Sequence, residues 1–141
     1  MILLDTNVIS EPLRQAGDAN VLAWMDAQMV ETLCLSAISL AELRFGIAAS
    51  PPGKKRDALH TSLEQRILPL FAGRILPFDA PASQAYAVLR ARARAEGKAI
   101  APADGYIAAI AAVHRLVVAT RDTSPFEAAG LAVINPWNVA R

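Results

Sequence analysis

The sequence predicts an α/β fold, a three-layer α/β/α sandwich around a five-stranded parallel sheet. Two features of the chain predict it. Short runs rich in Ile, Leu and Val alternate with segments of helical apolar spacing, an order typical of parallel strands joined by right-handed crossovers. The strand-like runs also show little polar–apolar alternation, which indicates a sheet covered by helices on both faces.

The predicted strands are short apolar runs that end at polar or turn-forming residues. They cover residues 2–4, 32–35, 74–78, 116–119 and 131–134. The predicted helices lie between them and cover residues 20–29, a segment around 40–47, and residues 54–68, 81–96, 102–114 and 126–129. Asn20 is expected to cap the first helix, and Pro81, Pro102 and Gly97 suit helix starts and a helix stop.

Length and composition predict a single globular domain over residues 1–141, with 54% hydrophobic and 19% charged residues. The net charge is +1, so any binding of nucleic acid has to rest on local positive patches. Cys34 is the single cysteine, which excludes an intramolecular disulfide. The start of the chain lacks a basic segment and no apolar run is long enough to span a bilayer, so we expect a cytoplasmic protein.

Four acidic residues fall where predicted strands end or helices begin: Asp5, Glu42, Asp104 and Asp122. In an open α/β sheet the carboxyl ends of the strands form one edge, and ligands bind there. Carboxylates brought together at that edge repel one another unless a cation lies between them. Because the ligands are all oxygen, Mg²⁺ or Mn²⁺ is the expected cation.

Each acid also has a simpler interpretation as part of a helix start. Asp5 and Asp122 could cap the helices that follow them, and Asp104 could complement a helix dipole. Glu42 matches a capping box with Ser39. The neighbouring polar residues favour the pocket instead, because Thr6, Asn7 and Thr120 could orient ligands and waters around the acids.

Five segments resemble one family. They are MILLDTNVISEPLR with Asp5, LSAISLAELRFG with Glu42, IAPADGYIAAIA with Asp104, LVVATRDTSPF with Thr120 and Asp122, and the closing INPWN. Together they resemble the PIN-domain ribonucleases, and specifically the VapC-type toxins of bacterial toxin–antitoxin pairs. The tail matches a subgroup of these toxins.

The resemblance implies hydrolytic cleavage of RNA at an acidic site that holds Mg²⁺ or Mn²⁺. We expect Asp5 and Asp104 to be direct ligands, with Glu42 and Asp122 acting through water or on a second ion. The resemblance also implies a homodimer and an inhibitory antitoxin. In the subgroup the antitoxin carries a ribbon-helix-helix DNA-binding part, so any DNA binding would belong to the complex.

Two surfaces are candidates for binding these partners. Among the basic residues, Arg90, Arg94 and Lys98 are preferred over the group at 54–56 as the RNA contact, although either could be a solvated face. Part of an apolar set on the early helices could form a groove for an antitoxin helix. That set comprises Trp24, Met25, Met29, Phe45 and Ile47.

Two other functions remain open on the residues alone. One is a metal-dependent phosphatase or DNA nuclease on a related sheet. The other is a non-enzymatic acidic binding or phosphoacceptor domain, in which Asp5 would accept the phosphoryl group. His60 and His114 lie in helical patterns and are not predicted to be catalytic.

Overall fold

The computed structural model describes residues 1–139 and contains one five-stranded sheet in this range. All strand pairs are parallel, in the order β3-β2-β1-β4-β5. The strands are β1 (Ile2–Leu4), β2 (Leu33–Ser36), β3 (Ile75–Leu76), β4 (Val117–Ala119) and β5 (Val133–Ile134). The predicted parallel sheet is confirmed, with β3 and β5 shorter than expected. The last residues of the predicted domain, 140 and 141, lie outside the described residues.

Seven α-helices connect and follow the strands within the described residues. They are α1 (Thr6–Ile9), α2 (Ala19–Asp26), α3 (Ala37–Ala48), α4 (Lys54–Thr61), α5 (Ala80–Ala95), α6 (Pro102–His114) and α7 (Ser124–Ala128). The predicted helix 54–68 is α-helical only to Thr61, and continues as a π-helical segment, Ser62–Ile67, and a 3₁₀ segment, Leu68–Phe71. Pro69 has no N–H to donate, which disfavours a regular α-helix at this point.

Two helix caps differ from the sequence predictions. The N-cap of α2 is Asp18 rather than Asn20, because the Asp18 Oδ1 accepts hydrogen bonds from the backbone N–H groups of Asn20 and Val21. The N-cap of α3 is Ser36, whose hydroxyl oxygen accepts from the Ser39 N–H at 2.9 Å. Caps satisfy backbone donors that the first helical turn leaves free.

The sheet has an apolar core on each face, as a three-layer sandwich requires. Successive residues of β1 point to opposite faces, so Leu3 joins the core under α5, α6 and α7, while Leu4 joins the core under α1, α2 and α3. Both leucines are 0% exposed. Within residues 1–139 no helix is both long and apolar enough to cross a membrane.

Strand order places a crevice between β1 and β4. From β1 the chain moves to β2 and β3 on one side, and then crosses to β4 and β5 on the other. The helices that follow neighbouring strands diverge at such a reversal, and ligands bind beyond the carboxyl ends of those strands. Asp5 follows β1 and Thr120 follows β4, so both lie at this crevice.

Candidate active site

Asp5 is a buried carboxylate held by two donors. Its Oδ1 accepts from the Thr6 N–H at 2.8 Å, and its Oδ2 accepts from the Thr120 hydroxyl at 2.9 Å. The residue is 6% exposed. Burial raises its pKa to about 6; the two hydrogen bonds oppose that rise, and the charges of Asp104 and Glu42 add to it. The ionised form of Asp5 is therefore electrostatically destabilised, and a bound cation would offset this cost.

Thr120 joins the ends of β1 and β4. It is 0% exposed, and its hydroxyl oxygen accepts from the Asp122 N–H at 3.1 Å while its hydrogen goes to Asp5. The Asn7 side chain spans the same gap, because its Oδ1 accepts from the Arg121 N–H at 3.3 Å and its Nδ2 lies 3.4 Å from the Thr120 hydroxyl. These bonds fix the position of Asp5 relative to the turn that carries Asp122.

Glu42 contacts the turn after β1. Its Oε1 accepts a hydrogen bond from the Thr6 hydroxyl at 2.8 Å, and its side chain is otherwise exposed on the second turn of α3. The capping-box interpretation is wrong, because Ser36 is the N-cap and Ser39 already lies inside the first turn. The carboxylate of Glu42 therefore faces the other acids instead of its own helix start.

Two buried hydroxyls extend this contact into the protein. The Ser39 Oγ lies 2.9 Å from the Thr6 Oγ1 and 3.2 Å from the Ser36 Oγ, and both serines are 0% exposed. Thr6 has one hydroxyl hydrogen, which goes to Glu42, so Ser39 supplies the hydrogen between Ser39 and Thr6. The row of hydroxyls orients the Thr6 hydroxyl toward Glu42, and each hydrogen bond in the row strengthens the next by polarising it.

Asp104 and Asp122 complete the acidic group. Asp104 lies in the first turn of α6, partly buried, and its pKa is raised by burial and by the charges of Asp122 and Glu42. Asp122 is exposed in the turn after β4. Both line a cleft of about 560 Å³ together with Lys98. The four predicted acids are therefore coupled electrostatically, because the charges of the others raise the pKa of Asp5 or of Asp104.

The spacing of these acids limits how a metal could be held. No group of three or more Asp, Glu, His or Cys side chains among residues 1–139 is arranged to hold a metal ion. Mg²⁺ usually keeps several waters and contacts only one or two protein carboxylates, so it needs no such group. The donors are oxygen atoms alone, and Asp5 is destabilised by like charges. This combination fits a hydrated hard cation.

The predicted basic residues have different environments. The Arg90 Nε donates to the Ile100 carbonyl at 3.1 Å and one Nη donates to the Tyr86 hydroxyl at 2.8 Å, so this guanidinium is engaged between α5 and α6. Arg94 is exposed on α5, whereas Lys98 lies in the cleft with Asp104. Of the three, the structure brings Lys98 to the acids.

Three further residues near the acids were missed by the sequence predictions. Ser36 and Ser39 were not recognised as part of the Glu42 contact, because helix-start serines are common and Thr6, the partner of Ser39, is distant in sequence. Arg121 lies with its guanidinium carbon 5.1 Å from the centre of the Trp137 ring. The INPWN segment was the available signal for that pair.

The predicted apolar groove residues divide into core and surface. Trp24 is 9% exposed and belongs to the core, while Met29 is 69% and Phe45 is 73% exposed. Ile47 is partly buried and packs on the core. Met25 lines a groove of about 550 Å³ between α2 and the segment at 62–71, with other apolar residues that include Ile9, Leu22, Ile67, Leu70 and Phe71.

The sequence from residue 2 to residue 131 matches the PIN domain family. This chain belongs to that family. Two relatives of this PIN domain match it over almost its whole length. It is 62% identical to the VapC ribonuclease Y4jK of Sinorhizobium fredii over 140 residues, which cover 99% of this chain and 100% of the relative. It is 60% identical to the toxin FitB of Neisseria gonorrhoeae over 138 residues, covering 98% and 99% of the two chains.

A solved structure shows the same fold for a PIN domain relative. The structure of FitAB bound to the IR36 DNA fragment superposes with a TM-score of 0.96 at 57% identity, covering 100% of this chain and 99% of that chain. The resemblance inferred from the sequence motifs is thereby confirmed, and so is the predicted α/β/α architecture.

Proposed function

We propose that this PIN domain is a metal-dependent endoribonuclease and the toxin of a type II toxin–antitoxin pair. It hydrolyses RNA phosphodiester bonds at an acidic Mg²⁺ or Mn²⁺ site and is inhibited by a cognate antitoxin. One observation carries the proposal: a buried Asp5, with a pKa raised to about 6, lies at the sheet crevice among three further carboxylates. The names of the relatives, a VapC ribonuclease and a toxin, support it.

In this proposal the metal is held by Asp5 and Asp104 directly, and by Glu42 and Asp122 through water or on a second ion. A divalent ion in such a site polarises the phosphate, lowers the pKa of a bound water and stabilises the charge on the departing oxygen. The raised pKa values of Asp5 and Asp104 support direct binding, because a cation offsets the burial and repulsion that raise them.

The remaining groups orient these acids and move protons. The Thr6 N–H and the Thr120 hydroxyl hold the two oxygens of Asp5, and Asn7 ties the adjoining turns together. Hydrolysis forms a bond from the water oxygen to phosphorus and breaks the bond from phosphorus to the leaving oxygen, while a proton passes from the water to that oxygen. Glu42 and Asp122 are open to solvent, and one of them accepts the proton from the attacking water.

The RNA backbone needs positive charge near the acids, because four carboxylates repel phosphate. Lys98 is the strongest of the predicted contacts, since it lines the same cleft as Asp104 and Asp122. Arg94 is a second contact from the exposed face of α5. Arg90 has a weaker case, because its donors are used by Tyr86 and Ile100.

The proposed partner is an antitoxin that covers the apolar surface of the early helices. The toxin FitB as a relative and FitAB bound to DNA as a structural match support this assembly. We propose a ribbon-helix-helix DNA-binding part on the antitoxin, so that DNA is bound only by the complex, and a homodimer of the toxin. The proposed site of action is the cytoplasm, where the RNA substrate and the antitoxin are made.

An RNA cleavage assay with purified protein tests the activity. We expect cleavage of RNA when Mg²⁺ or Mn²⁺ is added, and loss of cleavage with a chelator or after Asp5→Asn or Asp104→Asn. The matched control is Asp57→Asn on α4, an exposed aspartate outside the acidic group, which should cleave normally. Full cleavage by either active-site variant, or cleavage of DNA in place of RNA, would contradict the proposal.

A growth assay tests the toxin assignment separately. Expression of the chain alone should halt bacterial growth, and co-expression of the antitoxin should restore it. Asp5→Asn should be harmless in both conditions while folding normally. Harmless expression of the folded and metal-loaded wild-type chain would argue against a toxin.

A further inference from the structure

Arg121 is fixed at the edge of the acidic group by its backbone. It lies between Thr120, which donates to Asp5, and the exposed Asp122. Its N–H donates to the Asn7 Oδ1 at 3.3 Å, which ties this residue to the turn after β1. The backbone of Arg121 is therefore tied to the segment that begins directly after Asp5.

The side chain of Arg121 is exposed and lies over the ring of Trp137. Its guanidinium carbon lies 5.1 Å from the ring centre, within the range of a cation–π contact. No ion pair within residues 1–139 involves this guanidinium. The attraction between a cation and a ring face needs no hydrogen-bond acceptor, so the N–H groups of the guanidinium remain available to a ligand.

Trp137 is itself held in place by side-chain amides on both sides. The backbone N–H of Trp137 donates to the Asn135 Oδ1 at 3.0 Å, and its backbone carbonyl accepts from the side-chain Nδ2 of Asn20 on α2 at 3.2 Å. The indole packs on the core that also contains Leu4. Trp137 therefore gives Arg121 a fixed support and lowers the entropy that a free arginine would lose on binding.

Arg121 and Lys98, two exposed cations near the acids, lie on different sides of the sheet. Trp137 packs on the face covered by α1, α2 and α3. Lys98 follows α5, which packs on the opposite face. The carboxylates at the sheet edge therefore have Arg121 on one side and Lys98 on the other, and cations placed in this way can neutralise phosphates of a polyanion that crosses the edge.

We propose that Arg121, positioned by Trp137, binds the phosphodiester backbone of the RNA beside the acidic site. The inference rests on the proposed ribonuclease function and assigns a role to the INPWN segment. A planar guanidinium matches the geometry of a phosphate and can donate two parallel hydrogen bonds to it. Arg121 thereby holds the strand in register with the carboxylates, and Trp137 acts through Arg121 as a positioning residue.

Steady-state cleavage of a single-stranded RNA with Mg²⁺ tests this role. Arg121→Gln should raise KM about tenfold with little change in kcat, because the lost contact is made in the ground state and in the transition state alike. Arg121→Lys should recover only part of the loss, since lysine is a point charge without the planar fork. The matched control, Arg115→Gln, removes an exposed arginine at the opposite end of β4 and should leave KM unchanged.

Trp137 variants separate positioning from structure. Trp137→Phe should leave KM close to the wild-type value, because an aromatic face remains. Trp137→Leu should raise KM toward the value of Arg121→Gln. In the double variant Trp137→Leu with Arg121→Gln, the two effects should not add. Additive effects, or a Trp137→Leu defect in kcat alone, would overturn the positioning role.

Binding of RNA by the inactive Asp5→Asn protein gives a readout that does not depend on catalysis. Adding Arg121→Gln should reduce the slope of log affinity against log salt by about 0.7, the value for one phosphate contact on a single strand. If the wild-type protein cleaves RNA but an Arg121 variant has the same salt slope and KM, the role of Arg121 is refuted and the proposed ribonuclease function still stands. Wild-type protein that neither cleaves nor binds RNA would refute the proposed function with it.

Discussion

The hydroxyl of Thr6 donates a hydrogen bond to the carboxylate of Glu42 at 2.8 Å. This contact joins the turn after β1 to the helix after β2, across 36 positions of sequence. It argues against the capping-box interpretation of Glu42 and is compatible with a place in the acidic pocket. A capping residue would bond to its own helix start, whereas Glu42 is directed to the turn that also carries Asp5.

Glu42→Gln is the first prediction. We expect most RNA cleavage to be lost and the apparent affinity for Mg²⁺ to fall, because the amide keeps the shape but not the charge. The free energy of unfolding should change by less than about 0.5 kcal/mol, since Glu42 is exposed and caps no helix. Cleavage at limiting and saturating Mg²⁺, together with thermal unfolding, measures both effects.

The control for this variant is Glu31→Gln, an exposed glutamate just before β2 at the opposite edge of the sheet. It should have normal cleavage and normal metal dependence. If Glu42→Gln also cleaves normally at limiting Mg²⁺, the acidic site consists of three residues.

The second prediction concerns the buried hydroxyl of Thr120. Thr120→Val keeps the size of the side chain but removes the donor to Asp5 and the acceptor for the Asp122 N–H. We expect a loss of about 1–3 kcal/mol in stability, the cost of buried groups left without partners. The pKa of Asp5 should rise further, because this hydrogen bond lowers it.

Thr120→Ser retains the hydroxyl and should remain close to wild type in both properties, which separates the hydrogen bond from the packing of the methyl group. Urea unfolding and a pH series of RNA cleavage provide the measurements. Equal stability of the valine and serine variants would contradict the role of the hydroxyl.

The third prediction is that the stability of the metal-free protein falls as the pH rises from about 4 to about 6. Burial raises the pKa of Asp5 from its usual 3.8 to about 6, so the folded state binds more protons than the unfolded state in this window. Below the window both states are protonated, and above it the folded state bears the cost of a buried charge. For this group the change is about 3 kcal/mol at most.

Chemical unfolding at several pH values in a chelator measures this slope, and Asp5→Asn should flatten most of it. Asp104 contributes in the same direction, since its pKa is also raised. Added Mg²⁺ should stabilise the protein more at pH 7 than at pH 5, because a cation competes with the proton for Asp5. A slope that persists unchanged in Asp5→Asn would show that other groups cause it.

The fourth prediction concerns Phe45, which is 73% exposed on α3. Phe45→Ser should leave folding and RNA cleavage close to wild type, because few contacts are lost. It should weaken antitoxin binding by about tenfold or more, as expected for an aromatic anchor in an interface. Titration of the purified antitoxin, read out by inhibition of cleavage, measures the effect.

Val88→Ser is the matched control, since Val88 is 59% exposed on α5 in the opposite helical layer. We expect it to leave antitoxin binding unchanged. If the antitoxin inhibits RNA cleavage less well in the Val88 variant than in the Phe45 variant, the proposed antitoxin surface lies on the other face of the protein.

The sequence by itself determined the fold class and the identity of the acidic residues. Local patterns were sufficient, because apolar spacing reports on helices and strands independently of their partners. Asp5, Glu42, Asp104 and Asp122 each follow such a local boundary. The boundaries themselves were predicted less accurately: α3 begins at Ala37 and not near residue 40, so Ser36, and not Ser39, is its cap.

The tertiary structure alone decided which of these residues meet. Strand order puts β1 beside β4, and this order depends on burying two apolar faces at once, a long-range condition that no local pattern records. Only then does Thr120 reach Asp5, Thr6 reach Glu42, and Arg121 lie on Trp137. The acids of the candidate site could be predicted from the sequence. The neutral and basic residues that surround them are determined by the packing of the sheet.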